Sequence, residues 1–312
     1  MFDLPIYSLR FMLIVLCLLA SATLVRFILQ KKHPAKDFTE LRQRIRSWWI
    51  MIGLLFFALA GGKTLSIIFF GLLSFLALKE FLSIVPTRCA DRRVIFWAYL
   101  SIPVQYYWVS IHWYGMFIIF IPVYIFLFLP VRMILTGETK GFIRSAGIIH
   151  WGTMLTVFSC SHIAYMLTFP VKNSGAGNIG LVLFLLFMTE CNDVAQYIWG
   201  KSLGQHKIIP KISPNKTWEG FVGGMVTVTC CAGFAAPFLT PLSIAHGLLA
   251  GLIISVSGFM GDVVLSSVKR DLQIKDSSTL IPGHGGILDR MDSLFYTAPL
   301  FFHYTYSWSS IN

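Results

Sequence analysis

Long apolar stretches alternate with short polar connections along almost the whole chain. A helix that crosses a bilayer needs roughly 20 apolar residues, and ten stretches approach or exceed that length. They lie at 9–29, 47–62, 64–85, 94–109, 112–130, 145–169, 178–200, 219–240, 243–265 and 291–307. The pattern predicts an all-α, polytopic integral membrane protein with about 9 to 10 transmembrane helices.

The composition supports the same class. Hydrophobic residues make up 56% of the 312-residue chain and charged residues only 12%, with a mean hydropathy of +0.71. A soluble enzyme of this length exposes more polar surface than so few charges can provide. The N-terminal run Phe11–Leu19 followed by Ala20-Ser21-Ala22 resembles a signal peptide, but most nearby positive charges follow the run, so a retained first span is expected.

The distribution of Lys and Arg predicts how the spans are oriented. Twenty of the 25 basic residues fall in every second connection, at 30–46, 86–93, 131–144, 201–218 and 266–290. The alternate connections carry only Lys63 and Lys172. Basic loops are retained in the cytoplasm, so these five are expected to face it and, with ten spans, both termini face out. The formal net charge of +11 therefore indicates membrane orientation, and no nucleic-acid partner is expected.

The two halves of the chain differ in polar content. Residues 1–175 are interpreted as a transmembrane scaffold and 176–312 as a transmembrane catalytic region, within one continuous membrane domain. Lys79 and Glu80, near a cytoplasmic span end, are interpreted as a snorkelling ion pair, with a neighbour of the functional site as the alternative.

Apart from Glu80 near a span end, acidic residues enter the apolar spans in the second half. Glu190 and Asp193 are spaced i, i+3 and share a helical face, and Asp289 and Asp292 repeat that spacing. Asp262 lies at the cytoplasmic end of its span. Because a carboxylate in the bilayer is costly without a partner, these acids indicate a site. Acids converging near phosphate-binding cations are typical of Mg²⁺ held by carboxylates and substrate phosphates, although pairing with loop cations is the simpler alternative.

The polar connections add groups suited to anions. Pro214 and Asn215 predict a turn. Ser213, Asn215, Lys216 and Thr217 precede a predicted helix, whose N-terminus favours anions. Farther on, Pro282-Gly-His-Gly-Gly286 predicts a flexible loop whose Gly285 and Gly286 let backbone amides approach a ligand. His284 is interpreted either as a turn-stabilising or as a catalytic residue.

Together these segments resemble one family, the phosphatidate cytidylyltransferases or CDP-diacylglycerol synthases. That family's C-terminal motif has the form S-x-x-K-R-x4-K-D-x4-[hydrophobic]-P-G-H-G-G-[hydrophobic]-x-D-R-x-D. It is matched by Ser266, Lys269, Arg270, Lys275, Asp276, Pro282, Gly283, His284, Gly285, Gly286, Asp289, Arg290 and Asp292. An upstream pattern is matched by Asp193, Gly200, Lys201, Gly204, Ser213, Pro214, Lys216, Thr217, Glu219, Gly220, Gly223 and Gly224. The resemblance covers about 190–300.

The resemblance implies transfer of a cytidylyl group from CTP to phosphatidic acid, which gives CDP-diacylglycerol and pyrophosphate in a bacterial inner membrane. Asp262 and Asp289 are then expected to bind Mg²⁺, with Asp193 and Asp292 completing or orienting the metal shell. Lys216, Lys269 and Arg270 are expected to hold triphosphate or lipid phosphate. The sequence leaves open whether a monovalent cation joins the Mg²⁺ and whether the chain forms a homodimer.

One position departs from the family pattern. The family often has G-D-L-x-E-S where this chain has Gly261-Asp-Val-Val-Leu-Ser266, so Leu265 replaces a glutamate. The departure keeps two alternatives open: another lipid phosphate as acceptor and a non-catalytic membrane scaffold. A transporter is a third alternative, because acids within about ten spans are common in that class. No internal repeat supports the transporter.

Overall fold

In a computed structural model, the described residues are 4–34, 37–169 and 175–311, with side chains described to 307. Lys36 and Lys172 lie outside these ranges. The helices are α1 (Ile6–Lys32), α2 (Thr39–Ala60), α3 (Lys63–Ile84), α4 (Arg92–Ser110), α5 (Tyr114–Ile119), α6 (Phe126–Ile134), α7 (Phe142–Thr153), α8 (Ser159–Met166), α9 (Gly177–Leu203), α10 (Trp218–Leu239), α11 (Ile244–Asp271), α12 (Leu288–Met291) and α13 (Leu294–Ile311). A 3₁₀ turn, Cys89–Asp91, precedes α4.

Within the described part of the chain, the long helices form ten rods that correspond to the ten predicted apolar stretches. The π-helical segment Phe120–Ile125 joins α5 to α6, and Met154–Phe158 joins α7 to α8. Within the described ranges, six rods are long and apolar enough to cross a membrane: α1, α3, α5–α6, α9, α10 and α11. The chain is thus an all-α polytopic membrane protein, as predicted, while a total of nine or ten crossings stays a prediction.

The boundary of α2 corrects one prediction. The helix begins at Thr39, eight residues before the predicted span at 47. The basic segment contains good helix formers and no Gly or Pro, and Arg44 pairs with Glu40 one turn earlier, at 2.6 Å. Part of the first basic connection is therefore helical.

The basic connections meet at one end of the bundle, here called the basic end. Three hydrogen bonds join these connections in pairs. Ser47, directly after the first connection, donates through Oγ to Pro282 O at 2.7 Å, Arg88 Nη1 donates to Lys140 O at 2.8 Å, and Arg270 Nε donates to Ile212 O at 3.1 Å. The alternate connections meet at the opposite end: Ser8 Oγ donates to Ala176 O at 2.6 Å, and His112 Nδ1 lies 3.2 Å from Thr168 O. The rods therefore alternate in direction, as the charge pattern predicts.

A short antiparallel hairpin projects from the basic end. Its strands are β1 (Lys207–Ile209) and β2 (Ser213–Thr217). The connecting turn is closed by Ile212 N donating to Ile209 O at 3.1 Å, with Pro210 at the second position that suits its fixed φ. The predicted turn at Pro214 and Asn215 is wrong, because a two-stranded ribbon tolerates a proline that lacks an N–H.

Glycines bring α10 close to α9. A Cβ added to Gly220 would lie 2.8 Å from the backbone oxygen of Gln196, and one added to Gly223 would lie 2.5 Å from the Trp199 ring. Such approach requires small residues, so helix packing accounts for these glycines of the sequence motif. The hairpin ends where α10 begins, so this packing holds the hairpin against the part of α9 that lies at the basic end.

Candidate active site at the basic end

An ion pair between the hairpin and α11 marks the candidate site. Lys216 Nζ lies 2.5 Å from Asp262 Oδ2, donates to Gln196 Oε1 at 3.4 Å and lies 5.7 Å above the Phe259 ring centre. The position is fixed because the next residue, Thr217, caps α10 by accepting from Gly220 N at 3.2 Å. Strand and helix therefore place one ammonium group beside an acid of a membrane helix.

The pair is mostly shielded from solvent, with 21% of the Lys216 side chain and 23% of that of Asp262 exposed. Burial alone lowers the pKa of Lys216, but the charge and hydrogen bond of Asp262, with smaller contributions from Asp193 and Asp292, outweigh it and raise that pKa. The ammonium is thus held charged among acids.

Three acids surround this ammonium, and we call Asp193, Asp262 and Asp292 the carboxylate cluster. Asp193 accepts from Ser293 Oγ at 3.3 and 3.2 Å through its two oxygens. Asp292 interacts electrostatically with both other acids. Asp193 of α9 and Asp292 of the α12–α13 junction therefore lie near Asp262 of α11, whereas Asp289, which was also expected to converge with them, makes a different set of contacts; a common metal site stays a prediction.

A glycine permits the convergence. A Cβ on Gly261 would lie 2.5 Å from the carbonyl oxygen of Asp292, so only glycine lets α11 approach the α12–α13 junction this closely. Asp262 is the next residue. The spacing Gly-Asp in the sequence motif thus serves both the packing and the placement of the acid.

The carboxylate cluster has the donor type that a hard divalent cation prefers, since Mg²⁺ binds carboxylate oxygens together with substrate phosphates. Three acids share the positive charge of Lys216, and Lys269 is a further cation near Asp292. Among the described residues, no three His, Cys, Asp or Glu side chains converge closely enough to form a ready metal centre. The residues fit Mg²⁺ by chemistry, and its binding stays a prediction.

Asp289, predicted as a metal ligand, lies in a different environment. Its Oδ2 accepts from Ser277 N at 2.8 Å, Ser277 Oγ at 2.7 Å and Gly286 N at 2.9 Å. Its Oδ1 lies 2.9 Å from Lys269 Nζ. Burial alone raises the pKa of Asp289, but these donors outweigh it and the pKa is lowered. The carboxylate is therefore an acceptor that organises its surroundings and orients Lys269.

The glycine-rich segment 281–286 is a tight double turn. His284 N donates to Ile281 O at 3.0 Å, and Ile281 N donates to Gly285 O at 2.8 Å. Gly283 and Gly285 have φ of 75° and 80°, values that favour glycine. The Gly286 amide is used by Asp289, so the structure places one of the two predicted ligand-binding glycines in an internal hydrogen bond.

Helix α2 packs against this segment, which we call the glycine loop. The His284 ring lies edge-on to Trp48 with ring centres 6.0 Å apart, and Ser47 Oγ donates to Pro282 O at 2.7 Å. Burial, followed by the positive charge of Arg290, lowers the pKa of His284. These contacts agree with the turn-stabilising interpretation of the histidine, while a catalytic role stays a prediction.

Glu80 of α3 corrects the sequence interpretation. Its side chain is buried and accepts from Ile287 N at 2.9 Å and Leu288 N at 3.2 Å, and it contacts Ser277 Oγ. Lys79 is exposed. The predicted snorkelling pair is wrong, and the alternative of a site neighbour holds, because the next helical position turns inward toward the glycine loop.

The other predicted residues lie around the hairpin. Arg270 is exposed and donates to the hairpin backbone through Nε. Ser213 and Asn215 are in β2, with Asn215 exposed. Glu219 accepts from His206 Nδ1 at 2.6 Å and from the backbone nitrogen of that residue. It therefore secures the loop between α9 and β1, and the predicted roles of these residues in ligand binding stay predictions.

A polar network behind the carboxylate cluster was missed from the sequence. Asn192 Oδ1 accepts from Ser255 Oγ at 2.6 Å and from Gln196 Nε2 at 3.1 Å. Both Asn192 and Gln196 are buried. Their i, i+4 spacing, next to Asp193 on an apolar helix, was the available signal. The network holds Gln196 where it accepts from Lys216.

The chain is similar in sequence to known proteins. The model of the cytidylyltransferase family matches residues 42–308. The chain is 44% identical over 287 residues to the uncharacterized protein YnbB of Escherichia coli (strain K12), covering 92% of this chain and 94% of that protein.

Two relatives carry a functional name. The phosphatidate cytidylyltransferase of Bacillus subtilis (strain 168) is 36% identical over 173 residues, which is 55% of this chain and 60% of that enzyme. That of Mycobacterium leprae (strain TN) is 40% identical over 135 residues, 43% and 42% of the two chains. Since the family match extends over more than four fifths of the sequence, from α2 to α13, the chain belongs to the cytidylyltransferase family.

Proposed function

We propose that this protein transfers a cytidylyl group from CTP to phosphatidic acid in a bacterial inner membrane and releases pyrophosphate. The observation that carries the proposal is the carboxylate cluster gathered around Lys216 at the basic end of the bundle. The names of the partial relatives in Bacillus subtilis and Mycobacterium leprae support phosphatidate as acceptor.

The chemistry requires charge neutralisation more than a strong base. A phosphomonoester oxygen of the lipid attacks the α-phosphorus of CTP, one P–O bond forms, and the bond to pyrophosphate breaks. Both reactants are polyanions, so positioning and electrostatic stabilisation dominate such transfers. Lys216 and Lys269 are the mostly buried ammonium groups suited to phosphate oxygens.

The carboxylates serve the same reaction. Asp193, Asp262 and Asp292 would hold Mg²⁺, which neutralises phosphate charge when bound. Asp289 keeps Lys269 oriented through its Oδ1. Each residue is thus assigned to binding or orienting charge, with no covalent enzyme intermediate.

The location fits reactants of opposite solubility. The cluster lies where membrane helices α9 and α11 end among basic connections. Basic connections face the cytoplasm in the proposed orientation, so CTP arrives from water while the lipid enters laterally and leaves its acyl chains in the bilayer.

The direct test is purified protein in liposomes supplied with CTP, Mg²⁺ and phosphatidic acid, with CDP-lipid and pyrophosphate measured. Wild type is expected to form both products. Asp262→Asn is expected to lose about 100-fold or more in rate, the scale of removing one preorganised electrostatic group. Asp271→Asn, the same change at an exposed position of the same helix, is the control and is expected to keep wild-type rate.

Parallel arms identify the reactants. ATP, GTP and UTP replace CTP in one arm, and other lipid phosphates compete with phosphatidic acid in another. Preferential product formation from a competing lipid would change the proposed acceptor. Formation of no CDP-lipid by a folded wild type, or full activity of Asp262→Asn, would contradict the proposal.

A further inference from the structure

We propose that Glu80 is a positioning residue for the active site, acting through the glycine loop and Asp289. The inference rests on the proposed function and extends it to the N-terminal half of the chain. Glu80 lies 197 positions before Ser277, yet the two side chains are in direct contact.

The contacts of Glu80 fix the start of α12. One carboxylate oxygen accepts from Ile287 N at 2.9 Å and the other from Leu288 N at 3.2 Å. Both amides belong to the first turn of that short helix and lack helical acceptors of their own. Glu80 therefore replaces the missing preceding turn and determines how α12 sits against α3.

Ser277 connects Glu80 to the cationic side of the site. Its hydroxyl lies between the carboxylates of Glu80 and Asp289, at 2.7 Å from the latter. Asp289 in turn lies 2.9 Å from Lys269 Nζ. A continuous chain of polar contacts thus runs from a scaffold helix to a cation assigned to phosphate.

Space around the loop is matched to this arrangement. A Cβ on Gly286 would overlap the Glu80 carboxylate and the Ser277 hydroxyl. Glu80 is 7% exposed, so water cannot take the place of its carboxylate oxygens as acceptors for these amides unless the structure rearranges. Asp292, four residues beyond Leu288, takes its position from the same helical turn. Displacing α12 would therefore move both Asp289 and one member of the carboxylate cluster.

The test measures kcat and KM in lipid nanodiscs, per amount of folded protein, for Glu80→Gln, Ser277→Ala and the double variant. Glu80→Gln keeps the shape but loses one acceptor. It is expected to lower kcat by roughly tenfold or more, because small misplacement of reacting groups costs this much, while KM for the lipid changes less than about twofold. Glu138→Gln, the same change at an exposed position, is the control and is expected to match wild type.

The double variant tests the route. If Glu80 acts through Ser277, the kcat of the double variant is expected to lie no more than about twofold below that of the less active single variant, since effects within one network are not additive. Losses that multiply, or wild-type kcat in folded Glu80→Gln, would overturn the inference. Should Glu80→Gln not fold, the kcat of Ser277→Ala decides alone, and an unchanged value counts against it.

Hydrogen exchange separates this inference from the proposed function. Peptides covering 286–288 are expected to exchange faster in Glu80→Gln than in wild type or Glu138→Gln. Unchanged exchange would overturn the inference even if the enzyme is active. A wild type that makes no CDP-lipid would refute the proposed function, while faster exchange would still support the anchoring of the loop.

Discussion

Replacing Lys216 by methionine removes the ammonium at the centre of the carboxylate cluster and keeps most of the apolar stem. At 2.5 Å and an effective dielectric near 20, the attraction to Asp262 amounts to roughly 6–7 kcal/mol before desolvation is subtracted. About a fifth of each side chain is exposed, so the net cost lies below the 3–5 kcal/mol of a fully buried pair. We expect a loss of about 2 kcal/mol in the free energy of unfolding.

The same change alters the response to divalent cations. Without Lys216, the acids of the cluster repel each other with only Lys269, near Asp292, as a neutralising cation, so binding of Mg²⁺ relieves more repulsion than in wild type. Thermal unfolding in detergent, followed by intrinsic fluorescence at zero and millimolar Mg²⁺, measures both effects. The variant is expected to have a lower Tm without Mg²⁺ and a larger Mg²⁺-induced rise.

Lys211→Met is the matched control, since Lys211 is exposed in the turn of the same hairpin. It is expected to change the Tm by less than about 1 °C, as surface substitutions usually do. The reasoning fails if Lys216→Met unfolds at the wild-type temperature without Mg²⁺, or if Mg²⁺ raises the Tm of both proteins equally. Neither measurement depends on catalytic activity.

Four further substitutions are expected to have distinct signatures. Without divalent cations, Asp292→Asn should raise the Tm by relieving like-charge repulsion. Asp289→Asn should lower the Tm, because it weakens the several hydrogen bonds that the Asp289 carboxylate accepts. Equal Tm shifts in the two variants would contradict the different environments assigned to these acids. Asp91→Asn should cost about 2 kcal/mol by breaking its ion pair with Arg88, 2.7 Å away and partly exposed. Burial alone raises the pKa of Asp91, but its hydrogen bonds to Arg88 and to the Ser145 hydroxyl outweigh burial and lower that pKa below 3.8. The stabilisation by this ion pair is therefore present above that pH and is lost as the pH falls through the folded-state pKa. Denaturant titrations of wild type and variant should converge there. Gly286→Ala should slow product formation and speed hydrogen exchange of the loop, because its methyl group overlaps a buried carboxylate; unchanged values would show that the loop can shift.

The sequence predicts the parts of this molecule that depend on local pattern. The rods follow from apolar length, and their alternate direction follows from where Lys and Arg fall. The nearness of Asp193 and Asp292 to Asp262 agrees with the expectation that a carboxylate in an apolar span needs a partner, whereas the donors around Asp289 were not predicted. The start of α2 was less predictable, since basic residues suggest a loop while their helix propensity favours a helix.

Local pattern does not predict contacts between residues that are distant in the chain. Nothing within ten residues of Glu80 indicates that its carboxylate binds the amides of Ile287 and Leu288. The snorkelling interpretation was based on neighbours in sequence, whereas burial was decided by packing of α3 against α12. The hairpin was missed for a related reason: the turn was predicted at Pro214 and Asn215, whereas the pairing of Lys207 with Thr217 places these two residues in a strand.

The two acids of Asp289-Arg-Met-Asp292 show how one short turn can supply two kinds of carboxylate. Asp289 is surrounded by donors, so its charge is already satisfied and its position is fixed. Asp292 accepts from Ser293 N at 2.8 Å and lies near two further acids, Asp193 and Asp262, with Lys269 as a nearby cation. Because the two residues sit in one helical turn, the loop contacts that fix the first also fix the second. In the proposed arrangement, the fixed Asp289 therefore positions Asp292, the acid of the carboxylate cluster in the same turn. Glu80 holds that turn in place from the half of the chain that carries no acid of the cluster.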